Sequence, residues 1–275
     1  MLQFLKNPWF IIKENFQNLG RTFEMSVKEL NKKYSGAAMG AVWALVKPML
    51  FIFVYWFAIS VGIRGGKAID GGHPFILWLV AGIIPWFYIS EVLVYAGTSY
   101  RQNRHLITKM VYPISTIPTF RVLSQLYVHI TIVMIIIVIM ATQGYMPDVY
   151  YFQLIYYIIC IFVFMMVLSW ITAPLVVVSR DFEHLIKSIT QMLFWLTPII
   201  WQLDNIGENH PLVKNLVMAN PIYYFVKGYR DTFINKEWFW ENMKYTGYFW
   251  IVILILAFVG AYIYNKLKDE LADIL

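Results

Sequence analysis

The chain has 275 residues, of which 60% are hydrophobic and 14% charged, with a net charge of +6. So much apolar surface exceeds what a soluble domain of this size buries, which excludes an ordinary soluble enzyme and indicates an all-α integral membrane protein. The Lys and Arg residues are scattered between apolar runs, a distribution that suits membrane lipids and a polyanionic cargo and that argues against nucleic acid.

Residues 1–36 read as an amphipathic interfacial helix. Trp9, Ile12, Phe16, Leu19, Phe23, Val27 and Leu30 recur in steps of three and four, with six Lys and Arg among them. Such a helix either anchors in the head groups or also meets a partner protein. No cleavable signal peptide is expected, because polar and amphipathic residues precede the first long apolar run.

Residues 37–275 read as a six-span transmembrane domain, with spans over about 37–63, 74–96, 114–142, 150–179, 185–203 and 245–264. The first span opens on Gly36, Gly40 and Ala44, small residues at four-residue spacing that predict close helix packing, with a specific dimer seam as the alternative. The turn GIRGGKAIDGGH invites comparison with a phosphate-binding loop, but Val61 and Ala68 stand where that signature needs Gly and Ser or Thr. Any nucleotide chemistry then belongs to another polypeptide. Between the second and third spans, Arg101, Arg104, His105 and Lys109 lie in a short basic helix outside the membrane. Arg180 and Asp181 mark the next turn on the same side. Lys and Arg concentrate before residue 37, near residues 101–109 and 180–187, and at 266–268, so the positive-inside bias places both termini in the cytoplasm.

The last external segment, 204–244, holds PLVKNLVMA and NPIYYFVKGYR, apolar enough to enter a membrane and too short to cross it. They predict a re-entrant pair of helices, with a surface loop as the alternative. Charged groups within spans are few: Lys47, Glu91 and Arg121, at similar depth. Lys47 and Glu91 fit a structural pair, and alternatively Lys47 and Arg121 line a path for a phosphate-rich chain. Aromatic clusters at 55–57, 86–88 and 223–225 fit an interfacial belt, or rings stacked on sugars in a cavity. Cys160 is single, no His pattern fits a metal, and no nucleophile motif is present, so the chain carries neither metal nor catalytic residues of its own.

KELNKKYSGAAMGAVWALVKPM, VSRDFEHLIKSI followed by LFWLTPIIW, and ANPIYYFVKGYRDTF together resemble the membrane permease of bacterial ABC-type polysaccharide exporters, over about residues 27–233. VYWFAISVGIRGG and DGGHPFILWLVAGIIPWFYIS most resemble the wall teichoic acid export permease, with O-antigen and capsular exporters as the alternative. The resemblance implies a homodimer in the cell membrane bound to two copies of a separate ATPase, which binds ATP and Mg, and a lipid-linked anionic polymer as cargo. By the same resemblance Arg101, Arg104, His105, Lys109, Arg180 and Asp181 face the ATPase. Trp43, Tyr55, Lys47, Glu91 and Arg121 are conduit candidates, and Pro221, Tyr223 and Tyr224 are candidates for an external gate. A membrane transferase acting on cell-wall polymer would need convergent carboxylates and His that the chain barely offers. An ion-coupled transporter would need acidic relays and internal repeats, and the two halves show no repeat.

Overall fold

The computed structural model describes residues 8–63, 72–110, 112–203 and 210–275, and among them every regular element is helical. Arg64, Lys67 and most of the glycine-rich turn lie outside the described residues. In chain order the helices are α1 (Pro8–Gln17), α2 (Leu19–Tyr34), α3 (Trp43–Trp56), α4 (Phe75–Gly97), α5 (Ser99–Gln102), α6 (Arg104–Thr108), α7 (Thr116–Thr142), α8 (Gln153–Val178), α9 (Asp181–Leu196), α10 (Pro211–Met218), α11 (Pro221–Arg230), α12 (Met243–Leu267) and α13 (Leu271–Ile274).

Among the described residues, five helical segments are long and apolar enough to cross a membrane: Gly40–Gly62, Phe75–Gly97, Thr116–Thr142, Val149–Val178 and Met243–Leu267. The segment expected to cross at 185–203 instead forms α9, whose 16 residues end at Leu196 and start with the acidic Asp181 and Glu183. At about 1.5 Å per residue it falls short of a roughly 30 Å hydrocarbon core. The first span also starts later than expected. Gly36 and Gly40 have φ of 84° and 50°, a left-handed backbone that glycine adopts without a Cβ clash. They therefore turn the chain between α2 and α3, and the small-residue stripe they were expected to form on one helix face is absent.

Helix α4 is the axis of the bundle. Apolar along its length apart from Glu91 and a few small polar groups, it is the most buried of the five crossing candidates and packs against α3, α7, α8, α9 and α11. Pro85 sits inside it without ending it. Helices α8 and α12 run in close contact because Gly260 has no side chain: a Cβ there would lie 3.1 Å from the Cβ of Trp170 and 3.2 Å from the carbonyl of Val167.

The helix starts carry local signals. Proline opens α10 and α11, where its missing N–H would have no partner in any case. The Asn220 side chain accepts from the Ile222 amide at 3.0 Å, and Asn242 accepts from the Tyr245 amide at 3.2 Å.

Helix α2 docks on α7 with its polar face inward. Thr22, Ser26 and Glu29 are buried, while Phe23 and Val27 on the same helix, like Phe16 at 67% exposure on α1, face outward. Apolar faces gain little from each other in lipid, so polar contacts join the helix to the bundle and the apolar stripe is left for the bilayer.

Candidate functional site

Helices α2, α3, α4, α7 and α9 enclose a cavity of about 1210 Å³. Trp43 and Tyr55 line it, together with Phe51, Trp86, Phe194 and Trp195. Tyr55 and Trp86 both lean on Phe194, with ring centroids 5.2 and 5.6 Å apart. Except for Trp43, which precedes Lys47 by one turn, these rings lie farther along α3 than Lys47, short of Glu91 on α4, and farther along α9 than Lys187, so the cavity has a charged end near α2 and an aromatic body.

At the charged end Glu91 is shared. Its Oε1 accepts from Lys33 at 2.8 Å, and its Oε2 lies 3.7 Å from Nζ of Lys47. Lys33 also donates to Oε1 of Gln125 at 2.6 Å and lies 4.7 Å from the centre of the Tyr95 ring. Burial pushes the Lys33 ammonium below its usual pKa, although Glu91 pulls it back up. The expected Lys47–Glu91 contact is therefore present but secondary, because Lys33, which composition assigned to the interfacial helix, reaches deeper.

Arg121 sits elsewhere than the path expected of it. It is 1% exposed and turned away from the cavity, with Nη2 2.5 Å from Oε1 of Glu29 on α2. Its Nη1 donates to the carbonyl of Tyr95 at 2.9 Å, its guanidinium lies over the Tyr95 ring, and the Tyr95 hydroxyl donates to Glu29. A charge so enclosed is tolerable only with a partner and hydrogen bonds of this kind. The spacing Thr22, Ser26, Glu29, Lys33 was the available signal: one polar face on α2, at four, three and four residues.

A second, polar cleft of about 610 Å³ opens beside α5, α6 and the start of α9. Arg101, Arg104 and Arg180 line it, whereas His105, Lys109 and Asp181 are exposed nearby and lie outside its wall. Asp181 is held by Ser179, which takes its backbone N–H at 3.1 Å. Arg101 Nη1 lies 3.3 Å from Oε2 of Glu183, and Lys187 lies 2.7 Å from the other oxygen. The Lys187 hydrogen bond and the nearby Arg101 charge keep the Glu183 carboxyl below its usual pKa.

At the opposite end, the three residues expected as a gate have different surroundings. Pro221 starts α11 and Tyr223 is half-buried, but Tyr224 is packed in the core, stacked on Phe249 at 4.2 Å with its hydroxyl 2.9 Å from that of Tyr156. The residue that sequence reasoning missed is Arg230. Its guanidinium is buried, donates to the carbonyls of Pro198 at 2.7 Å and Ile199 at 2.6 Å, and lies 3.4 Å above the Trp78 ring. Asn220 adds a bond to Thr197 at 2.8 Å. Helix α11 thus grips the residues that follow α9. His129, also unforeseen, borders the cavity and meets the Tyr229 hydroxyl at 2.7 Å.

No group of His, Cys, Asp and Glu able to hold a metal occurs among the described residues. Apolar helices long enough to cross a membrane thus surround a cavity with one charged end, the build of a polytopic membrane protein. The ABC-2 type transporter family matches residues 21–234, and the chain belongs to that family. It is 27% and 28% identical over 263 residues to two O-antigen export system permease proteins RfbA of Klebsiella pneumoniae, covering 94% of this chain and 97% of each relative. It is 23% identical over 264 residues to the protein of that name from Myxococcus xanthus, covering 96% and 98%. These relatives are transport permeases and not enzymes.

Proposed function

We propose that the chain is the membrane permease of an ATP-driven polysaccharide exporter, and that its cargo is of the O-antigen kind. What carries this reading is a coincidence of extent: every residue lining the large cavity, from Lys33 to Trp195, falls within the family match at 21–234. The names of the relatives favour O-antigen over wall teichoic acid, which rested on the likeness of two short segments.

In this reading two copies of the chain pair in the bacterial cell membrane and bind two copies of a separate ATPase, which holds ATP and Mg. Both termini are cytoplasmic, so the cleft lined by Arg101, Arg104 and Arg180 faces that ATPase and the aromatic body of the cavity points outward. Helix α9 with residues 197–203 completes a sixth crossing. Helices α10 and α11 dip into the outer leaflet, where Leu212 and Leu216 present apolar surface. The cargo, a polymer attached to a lipid, enters at the charged end and slides along the rings, whose faces can stack on sugars. ATP binding draws the ATPase copies together, and α5, α6 and the Arg101–Glu183 contact pass the motion to α9.

Co-purification tests this. Tagged full-length chain expressed with the ATPase encoded beside it should retain that ATPase, and charge reversal at Arg104 and Lys109 together should release it while the permease stays in the membrane. Full retention in the double variant would overturn the assignment of the coupling surface, and the absence of any ATPase partner would overturn the exporter reading.

A further inference from the structure

The charged end of the large cavity has more cation than its carboxylates use. Glu91 is the one acidic group shared by Lys33 and Lys47, and it sits unevenly between them: 2.8 Å from Lys33 and 3.7 Å from Lys47. The second distance is beyond hydrogen-bonding range. The Lys47 side chain is 65% exposed, whereas that of Lys33 is 17% exposed and held by Gln125 as well. The other carboxylate in the wall, Glu183, already takes Lys187 and Arg101. Arg121 contributes nothing to the balance, since Glu29 neutralises it outside the cavity. One ammonium, on the flexible stem of Lys47, is left loosely held beside an aromatic cavity.

We infer that Lys47, backed by Lys33, forms a binding site for the phosphate head group of a membrane amphiphile, with Glu91 acting as the built-in competitor that an arriving phosphate displaces from Lys47. Several features fit an amphiphile better than a simple anion. The rings of Phe51 and Tyr55 continue along α3 from the charged end, with Trp43 one turn before Lys47, and offer apolar surface to whatever the phosphate carries. A compact, rotatable ammonium suits a phosphate as a point charge. Lys33 stays with Glu91 and Gln125 on exchange, so no buried charge is stranded. An ordinary anionic phospholipid and a polyprenyl carrier share this head-group chemistry. The inference rests on reading the cavity as the conduit of an exporter.

The test is equilibrium binding of three labelled probes, a long-chain polyprenyl diphosphate, the matching neutral polyprenol, and phosphatidylglycerol, to the detergent-purified full chain. Wild type should bind a phosphate-bearing probe at least about tenfold tighter than polyprenol, and Lys47→Gln should lose about tenfold for that probe alone, the size of one charge-assisted contact. Lys47→Arg should keep most of the affinity, and Glu91→Gln should tighten it about threefold or more by removing the competitor. Inorganic diphosphate should displace the bound probe from the wild-type chain, which checks the site without any substitution. Preference for polyprenyl diphosphate identifies a carrier lipid as the source, and equal binding of phosphatidylglycerol identifies the surrounding bilayer. The inference is overturned if Lys47→Gln binds like wild type or loses polyprenol equally, if Glu91→Gln binds more weakly, or if inorganic diphosphate displaces nothing. A wild-type chain that binds no phosphate probe yet exports polymer with its ATPase loses this site and keeps its proposed function. Binding as expected without ATP-driven export does the reverse.

Discussion

Glu29 and Arg121 form an ion pair that almost no water reaches, with side chains 4% and 1% exposed and 2.5 Å between Oε1 and Nη2. The pair joins α2, which lies on the bundle by its polar face, to α7 in the middle of the structure. Removing either partner leaves the other charge buried alone. Glu29→Gln and Arg121→Met are each expected to destabilise the protein by about 3–5 kcal/mol, whereas Glu29→Leu with Arg121→Met should recover most of the loss. Thermal unfolding in detergent, read as a double-mutant cycle, measures this. Strictly additive single losses would show that the two charges do not depend on each other.

A similar dependence links Gly82 and Arg230. A Cβ at position 82 would stand 2.5 Å from Nη2 of Arg230, so Gly82→Ala must push the guanidinium away from Pro198 and Ile199. The expected loss is about 1–3 kcal/mol, as for other overpacked sites, together with looser ordering after α9. Hydrogen exchange over residues 195–203 should rise in Gly82→Ala and rise no further when Arg230→Gln is added. Unchanged exchange in both variants would remove Arg230 from any role in holding α9.

The Arg101–Glu183–Lys187 contact should respond to acid. Its carboxyl is held below the 4.5 of an unperturbed glutamate, chiefly by the Lys187 hydrogen bond and against a smaller opposing effect of burial. A depressed folded value means that the contribution is complete above pH 4.5 and fades as pH falls through the lower folded value. Because these groups are partly exposed, the effect on overall stability is small, and a local probe is the right one. Spin labels or fluorophores on α5 and α9 should show the helices loosening in wild type only once the pH has fallen below the 4.5 of an unperturbed glutamate. In Glu183→Gln they should start loose and change little. An unchanged acid transition in Glu183→Gln would assign the loosening to another group.

Much of this was legible from the order of residues, and particular cases show why the rest was not. Apolar runs of 23 to 30 residues marked all five crossing candidates among the described residues to within about three positions, because length against bilayer thickness is a strong constraint. The first began later than expected, since Gly36 and Gly40 are small residues both on a helix face and in a left-handed turn, and only backbone geometry separates the two uses. Composition pointed to Lys47, Glu91 and Arg121 as the charges that matter, but their partners Lys33 and Glu29 come from a helix read as lying on lipid. Pairing across some 60 to 90 residues leaves no local pattern. Tyr224 was a gate candidate through the resemblance of its segment alone, and in the structure it packs α11 on α12. Arg230 was hidden because three backbone carbonyls satisfy it, and carbonyls have no signature in a sequence.

The central claim is that this polypeptide builds the membrane path while another supplies the nucleotide chemistry. The most direct measurement reconstitutes the purified chain in vesicles with and without its ATPase and follows ATP hydrolysis together with the movement of labelled lipid-linked O-antigen polymer. The account predicts no hydrolysis and no movement with the chain alone, and both when the ATPase is added. Hydrolysis by the chain alone, or polymer crossing without ATP, would contradict it.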